Sequence, residues 1–325
     1  MPARLNITVT PARYALIARM ALVAFTLIVV TGVGVRVTGS GLGCPTWPKC
    51  TETSLYTELN THGVIEFGNR MLTGFVGFAA FAALLGAYRR RPYRRDLMRI
   101  AVLLPLGVVA QVVLGGFTVL YDLAPGFVMS HFMLSMLILV ACVVLDWRAH
   151  HDPEELQARA RTPSDDRVLA WGVRSLIPLG ALSILAGTAA TAAGPHTGGT
   201  GTDDVVPRLE FKGADTLRYV IEQHARLATL LGVVAVALWL LARHRGITRA
   251  GRAPLTWLCV LLGLQGVIGG VQYQLELPAE IVWVHASLAA TTWLAIVWVA
   301  VAADQLQPRP APSPRGAAGE AAPAR

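Results

Sequence analysis

The stretch Thr61 to Gly77, THGVIEFGNRMLTGFVG, places Glu66 and Arg70 inside an otherwise apolar segment that runs to Ala87. As a helix rising about 1.5 Å per residue, such a segment can cross a bilayer. A charged side chain in hydrocarbon costs roughly 2.5 to 3.5 kcal/mol on insertion scales, so such groups face a bundle interior or a cavity. Positions 62, 66, 69 and 70 lie close to one helical face, and Glu66 can pair with Arg70 four residues on. A carboxylate in that setting is suited to handling protons or stabilising charge. A purely structural ion pair is the alternative.

Histidine supplies the second set of chemically able groups, with eight in the chain. His150, His151, His196 and His244 fall in loops or linkers and are expected to be solvated, while His62 opens a span at its interface. His131, His224 and His285 lie within apolar segments, near one end of each. His224 and His285 occupy corresponding depths, and two imidazoles facing across a helical bundle are a recurrent ligand set for heme iron. The pattern predicts bis-histidine heme ligation by this pair. Tetrahedral zinc would need more ligands. Glu222, the carboxylate at matching depth, is two residues from His224 and so on a different face.

Positioning these groups requires a membrane. Hydrophobic residues make up 54% of the 325 and charged residues only 15%, outside the usual soluble range. Eight apolar segments can be marked, at about 14–35, 62–87, 98–120, 127–146, 168–192, 215–242, 254–273 and 280–303. The first is too long for a signal-peptide core and reads as a transmembrane helix. The connection RRRPYRRDLMR (89–99) carries six arginines and RHRGITRAGR (243–252) four, whereas loops 36–61, 121–126, 193–214 and 274–279 hold few basic residues. Both termini and the basic loops are therefore expected inside. The net charge of +8 belongs to this pattern, and no nucleic-acid partner is expected.

The chain also repeats itself. Asn69, Leu72 and Gly77 recur as His224, Leu227 and Gly232, and Gly32 and Gly39 recur as Gly187 and Gly194, all 155 residues on. Gln111, Gly115, Gly116 and His131 recur as Gln265, Gly269, Gly270 and His285, 154 residues on. Each repeat holds four spans, so the halves share one orientation, as in parallel internal repeats. The predicted fold is an all-α integral membrane protein of eight transmembrane helices in two pseudo-symmetric four-helix bundles, residues 12–146 and 168–303. A polar linker, 147–167, joins them, and the Pro/Ala-rich tail 304–325 is expected to be disordered. The glycine pairs let helices approach closely and can leave room for a flat ligand. The halves differ where it matters: Asn69 stands where His224 stands in the second, and Ile221 where Glu66 stands in the first. A reactive first half and a carrier second half follow.

Four cysteines occur. Cys142 and Cys259 lie in apolar segments and read as small core residues. Cys44 and Cys50, in the loop GLGCPTWPKC, are placed in an oxidising compartment, where a local disulfide is expected ahead of free thiols or a metal clip.

Taken together, the eight spans, VRVTGSGLGCPTWPKC after the first, Glu66-Phe-Gly-Asn69-Arg70 opening the second and histidines opening spans four, six and eight resemble the heme A synthase family over about residues 12–303. The resemblance implies an oxidoreductase that converts the C8 methyl of heme O to a formyl group, giving heme A for cytochrome oxidase. It implies a bacterial cytoplasmic membrane protein with heme O as substrate, and it brings heme O synthase, cytochrome oxidase assembly and an unspecified electron donor into view as partners. It implies a heme b cofactor held by His224 and His285, substrate iron on His131, substrate heme bound also by Asn69 and Arg70, Glu66 as the catalytic acid, and the Cys44–Cys50 pair as the family's outer-loop cysteines. Family members often carry histidine where this chain has Asn69, so the substrate iron is expected to keep one face open; His62 could substitute as ligand only nearer the outer surface. Arg36 and Arg70 are candidates to pair with heme propionates. The rival readings are a b-type heme electron carrier linked to quinol and a small-molecule transporter.

Overall fold

Apolar runs of this length leave the backbone one way to satisfy its polar groups in hydrocarbon, the helix. The computed structural model describes residues 8–57, 60–152, 154, 166–199 and 205–303. Among the described residues eight helices are long and apolar enough to cross a membrane. They are α1 Pro11–Val37, α2 Thr61–Arg89, α3 Arg95–Leu120, α4 Pro125–Ala149, α5 Arg167–Ala193, α6 Thr216–His244, α7 Arg249–Gln274 and α8 Ala279–Val301. The protein is an all-helical, multi-pass membrane protein. Each helix contains its expected apolar segment, apart from the first residue expected for α6 and the last two expected for α8, and most extend it by a turn or less.

Local sequence accounts for where the helices begin. Asn60 Oδ1 accepts from the Gly63 N–H at 2.7 Å and Asp166 Oδ1 from the Leu169 N–H at 3.0 Å, satisfying donors that a helix start leaves open. Thr248 caps α7 in the same way, and proline starts α1 and α4, where its missing N–H is harmless.

Packing follows chain order. Helices α1 to α4 each lie against the next and α1 closes on α4; α5 to α8 repeat the cycle, with α8 closing on α5. The cycles meet where α1 and α4 pack on α8 and α4 packs on α5. At that seam the Trp293 indole donates to the Met136 carbonyl at 2.8 Å and the Trp283 indole to the Val30 carbonyl at 3.1 Å. A continuous apolar core runs through both cycles, including Leu104, Met136, Leu139 and Cys142 of the first and Leu176, Leu255, Leu258 and Ile296 of the second. Cys142 is buried and Cys259 half-buried, both as free thiols packed in or against that core.

The tight turns show the repeat in backbone geometry. Asp122 and Leu123 between α3 and α4, and Glu276 and Leu277 between α7 and α8, all have positive φ, between 49° and 65°. The Leu123 N–H donates to the Thr118 carbonyl and the Leu277 N–H to that of Gln272, each 154 residues apart from its counterpart. Left-handed backbone costs an L-residue roughly 1–2 kcal/mol, so two consecutive such residues recurring in register mark the same connection built twice.

The tail 304–325 and most of the linker, residues 153 and 155–165, lie outside the described residues. Two histidines differ from the solvated expectation. His196 is half-buried and its Nε2 bonds the Leu277 carbonyl at 2.7 Å, tying the loop after α5 to the α7–α8 turn. His151 is half-buried and stacks on Trp147, with ring centroids 4.0 Å apart. In both cases a backbone carbonyl, of Leu277 far along the chain or of Trp147 one turn back, takes the polar group that spacing alone assigned to water.

Candidate functional site

The ion pair anticipated in α2 forms, and it does more than neutralise charge. Arg70 Nη2 meets Glu66 Oε1 at 2.6 Å, with Nε at 3.1 Å from the same oxygen. Arg70 also donates from Nη1 to the carbonyls of Thr46 and Lys49 and from Nη2 to that of Cys44. A guanidinium has five N–H donors, and all five are engaged. Glu66, 6% exposed, accepts the Cys44 N–H on Oε2 at 2.7 Å. Acid and base together grip the backbone of the loop after α1, whose Cys44 and Cys50 are buried and joined as a disulfide. Arg70 is thus a loop clamp here, with no donor left for a propionate.

The loop is held at its base too. His62 Nδ1 bonds the buried Ser40 hydroxyl at 2.9 Å, so this imidazole anchors the loop. Arg36 Nε donates to the His196 carbonyl at 3.1 Å, and the Gly41 N–H to the Gly198 carbonyl at 2.8 Å. The loops after α1 and α5 therefore lie together at one end of the molecule.

Three imidazoles sit on glycines. A Cβ added to Gly115 would stand 3.2 Å from His131 Cε1, one on Gly187 3.0 Å from His224 Cε1, and one on Gly269 3.1 Å from His285 Cε1. Each contact is tighter than an ordinary side chain allows, so glycine sets how deeply the rings lie. Gln111 and Gln265 repeat as well, each donating from Nε2 to the carbonyl of its histidine, at 3.1 and 3.2 Å. Gly32 breaks the series: no described neighbour comes within 4 Å of its Cβ position. Its expected partner is Asn69, shorter than histidine, whose Oδ1 instead accepts from the Thr31 hydroxyl at 2.8 Å. Asn69 also lines an apolar cleft of about 440 Å³ with Thr31, Gly34, Ile65, Leu72 and Trp283, the last from α8 of the other half.

In the second half the two rings meet. The His224 and His285 centroids are 6.2 Å apart with planes at 88°. His224 Nδ1 bonds the Ser183 carbonyl at 2.8 Å, so Nδ1 carries the proton and Nε2 keeps its lone pair. His131 and His285 each bury Nδ1 with no hydrogen-bond partner among the described residues. Two imidazole–metal bonds of about 2 Å, added to the depth of two five-membered rings, span close to the observed separation. Glu222 pairs with Arg218 at 3.1 Å and Arg226 at 3.6 Å, away from this centre as its spacing required.

Spacing brought out the histidines, Asn69, Glu66 and Arg70. It missed Thr31, Ser183, Trp47 and Trp283, which act through contacts with residues remote in the chain; only the position of Trp47 between two cysteines offered a signal.

Fold and site define a multi-pass helical membrane protein with an imidazole pair across one half and a single imidazole with an amide in the other. Residues 55–198 match the family described as cytochrome oxidase assembly protein. The heme A synthase of Lysinibacillus sphaericus is 29% identical over 126 residues, 38% of this chain and 41% of that protein. Those of Alkalihalophilus pseudofirmus and Shouchella clausii are 27% and 29% identical over 130 and 127 residues, or 44% and 42% of their lengths. The chain thus aligns with less than half the length of these curated relatives. Over these stretches the chain is similar to heme A synthases.

Proposed function

We propose that this chain is an oxidoreductase of heme A biosynthesis that takes heme O as substrate and converts its C8 methyl to a formyl group. The observation that carries the reading is the inequality of two matching sites: imidazole against imidazole at His224 and His285, but an amide at Asn69 in the half that holds His131. A resident cofactor needs a closed, stable ligand set. A substrate has to arrive, react and leave, which one strong ligand permits.

The 12–146 and 168–303 bundles then divide the work as pseudo-symmetric halves. The second fits heme b: the donor set is two imidazoles, the proton of His224 is held on Nδ1 by Ser183, and Gly187 and Gly269 give the rings their depth. When bound, heme b supplies one-electron transfer. In the first half His131 takes the substrate iron, and the Asn69 amide, held by Thr31, keeps the other face weakly filled. The cleft beside Asn69 is apolar, as a lipophilic substrate requires. Glu66 is the acid of this half; its carboxylate and Arg70 hold the disulfide loop at the site's outer end, and we assign it charge stabilisation as the methyl group is oxidised. His62, tied to Ser40, is a loop anchor in this scheme.

The basic connections 89–99 and 243–252 support a topology with both termini on the cytoplasmic side of a bacterial cell membrane and the loops after α1 and α5 outside. Heme O synthase as donor of substrate, cytochrome oxidase assembly as consumer of product and an external electron partner follow from the reaction. A b-type electron carrier would call for paired ligands in both halves. Pigments extracted from membranes expressing this chain with a heme O supply test the reading: formyl-bearing heme is the expected product, and heme b alone would overturn it in favour of the carrier.

A further inference from the structure

Neighbouring glycines on α3 receive two different rings. Gly115 carries His131; a Cβ on Gly116 would stand 2.8 Å from Cδ2 and 2.9 Å from Cε2 of Trp47, the tryptophan inside the disulfide loop. The indole therefore lies across Gly116 and shares a turn of α3 with the imidazole. Its backbone is fastened from α2: Arg70 Nη1 donates to the carbonyls of Thr46 and Lys49, on either side of Trp47, at 3.0 and 3.1 Å. Arg70 follows Asn69 in the chain. Trp47 is thus bracketed by the same turn of α3 that seats His131 and by the residue next to Asn69, the two groups that mark the first-half site.

Among the described residues the second half has no such ring. Gly269 seats His285 as Gly115 seats His131, but no described neighbour comes within 4 Å of a Cβ on Gly270, the counterpart of Gly116. The added aromatic thus belongs to the half with one imidazole. A site that grips a flat ligand by a single axial bond leaves the ligand free to turn and tilt about that bond; an aromatic face at its rim removes that freedom through stacking. Trp47 is 38% exposed although Gly116 beneath it is buried, so part of the indole remains free to meet a ligand.

We propose that Trp47 is the outer wall of the first-half site and packs its indole on the substrate porphyrin, an assignment that rests on heme O being that site's ligand. The Glu66, Arg70 and Cys44–Cys50 contacts are then the device that presents this ring, and its absence from the second half is one reason that half retains its heme by ligation alone. A tryptophan that merely anchored the loop would matter little to ligand affinity, because the disulfide and Arg70 hold the loop backbone without it.

The test is titration of the full-length, detergent-purified protein with heme O, followed by absorbance, with heme b content measured in the same samples as a check of folding. Trp47→Leu is expected to weaken heme O binding on the order of tenfold, Trp47→Phe to restore most of it, and Gly116→Ala, whose methyl displaces the indole, to act like Trp47→Leu. Gly270→Ala is expected to bind heme O as wild type does. Wild-type affinity in both Trp47→Leu and Gly116→Ala, with heme b retained, would overturn the proposal and leave the reading of the site intact. Failure of the unaltered protein to take up any heme O would overturn both.

Discussion

The backbone N–H of Cys44 donates to Glu66 Oε2 over 2.7 Å, across 22 positions of chain. This bond joins the buried acid on the polar face of α2 to a disulfide loop outside the helices. It makes Glu66 two things at once, a charge beside the candidate substrate site and a support for the loop above it. The two roles separate on substitution.

Glu66→Gln keeps a carbonyl oxygen for the Cys44 N–H but removes the charge. The variant should fold and retain heme b, while heme A formation falls roughly 10²-fold or more if the charge serves the chemistry. Glu66→Ala leaves the half-buried Arg70 without its carboxylate and the Cys44 N–H without its acceptor, a loss of about 1–3 kcal/mol, and should lower the thermal stability of the solubilised protein as well. Product analysis by chromatography of extracted hemes, beside a melting curve, reads both. Full heme A output from Glu66→Gln would reduce Glu66 to a loop support.

Replacement of His224 or His285 by alanine should abolish stoichiometric heme b, since a single remaining imidazole cannot complete the pair. Gly187→Ala and Gly269→Ala should perturb the same absorption bands without removing a ligand, because the new methyl would stand 3.0 and 3.1 Å from the ring carbon of each histidine. Iron porphyrin retained at full complement in a His224→Ala, His285→Ala double variant would contradict the assignment.

Asn69→His should give the first half the ligand set of the second. Room exists for it, since Gly32 faces open space where Gly187 touches His224. The expected result is a shift of bound heme O toward the low-spin spectrum of a doubly ligated iron, with slower heme A formation as the open face closes. An unchanged spectrum would mean that position 69 does not face the iron.

Cys44→Ser with Cys50→Ser opens a small loop, which in the chain-entropy model removes about 2 kcal/mol of stability. The Arg70 contacts to Cys44, Thr46 and Lys49 are all to carbonyls and survive the change. Stability should therefore drop more than heme O affinity does, a difference seen by comparing melting temperature with the binding titration.

Sequence-level reasoning reached far for a chain of this size because membrane insertion turns a three-dimensional problem into a local one. Hydrocarbon tolerates little besides apolar helix, so each span announces itself in about twenty consecutive residues. Duplication did the rest, since offsets of 155 and 154 residues placed Asn69 against His224 and His131 against His285 before any contact was known. The pairing of Glu66 with Arg70 was equally legible as a spacing of four on one helix.

Contacts between distant segments were not legible. His196 read as solvated, yet it bonds Leu277, 81 residues on. Arg70 read as a partner for an anionic ligand, yet every donor it has goes to Glu66 and the loop.

The amino-acid order by itself determined eight spans, their repetition in two sets of four, the depth of three histidines and the substitution of an amide for one imidazole. All of these depend on side-chain hydropathy and helical pitch, which act over a few turns. Tertiary structure alone decided that Glu66 and Arg70 would hold a disulfide loop, that Trp47 would lie across Gly116 and that Trp283 of the last helix would line a cleft in the first half. Helical pitch assigns a residue to a face; what that face meets depends on how separate helices and loops close on one another, and no spacing along one strand of chain contains that information.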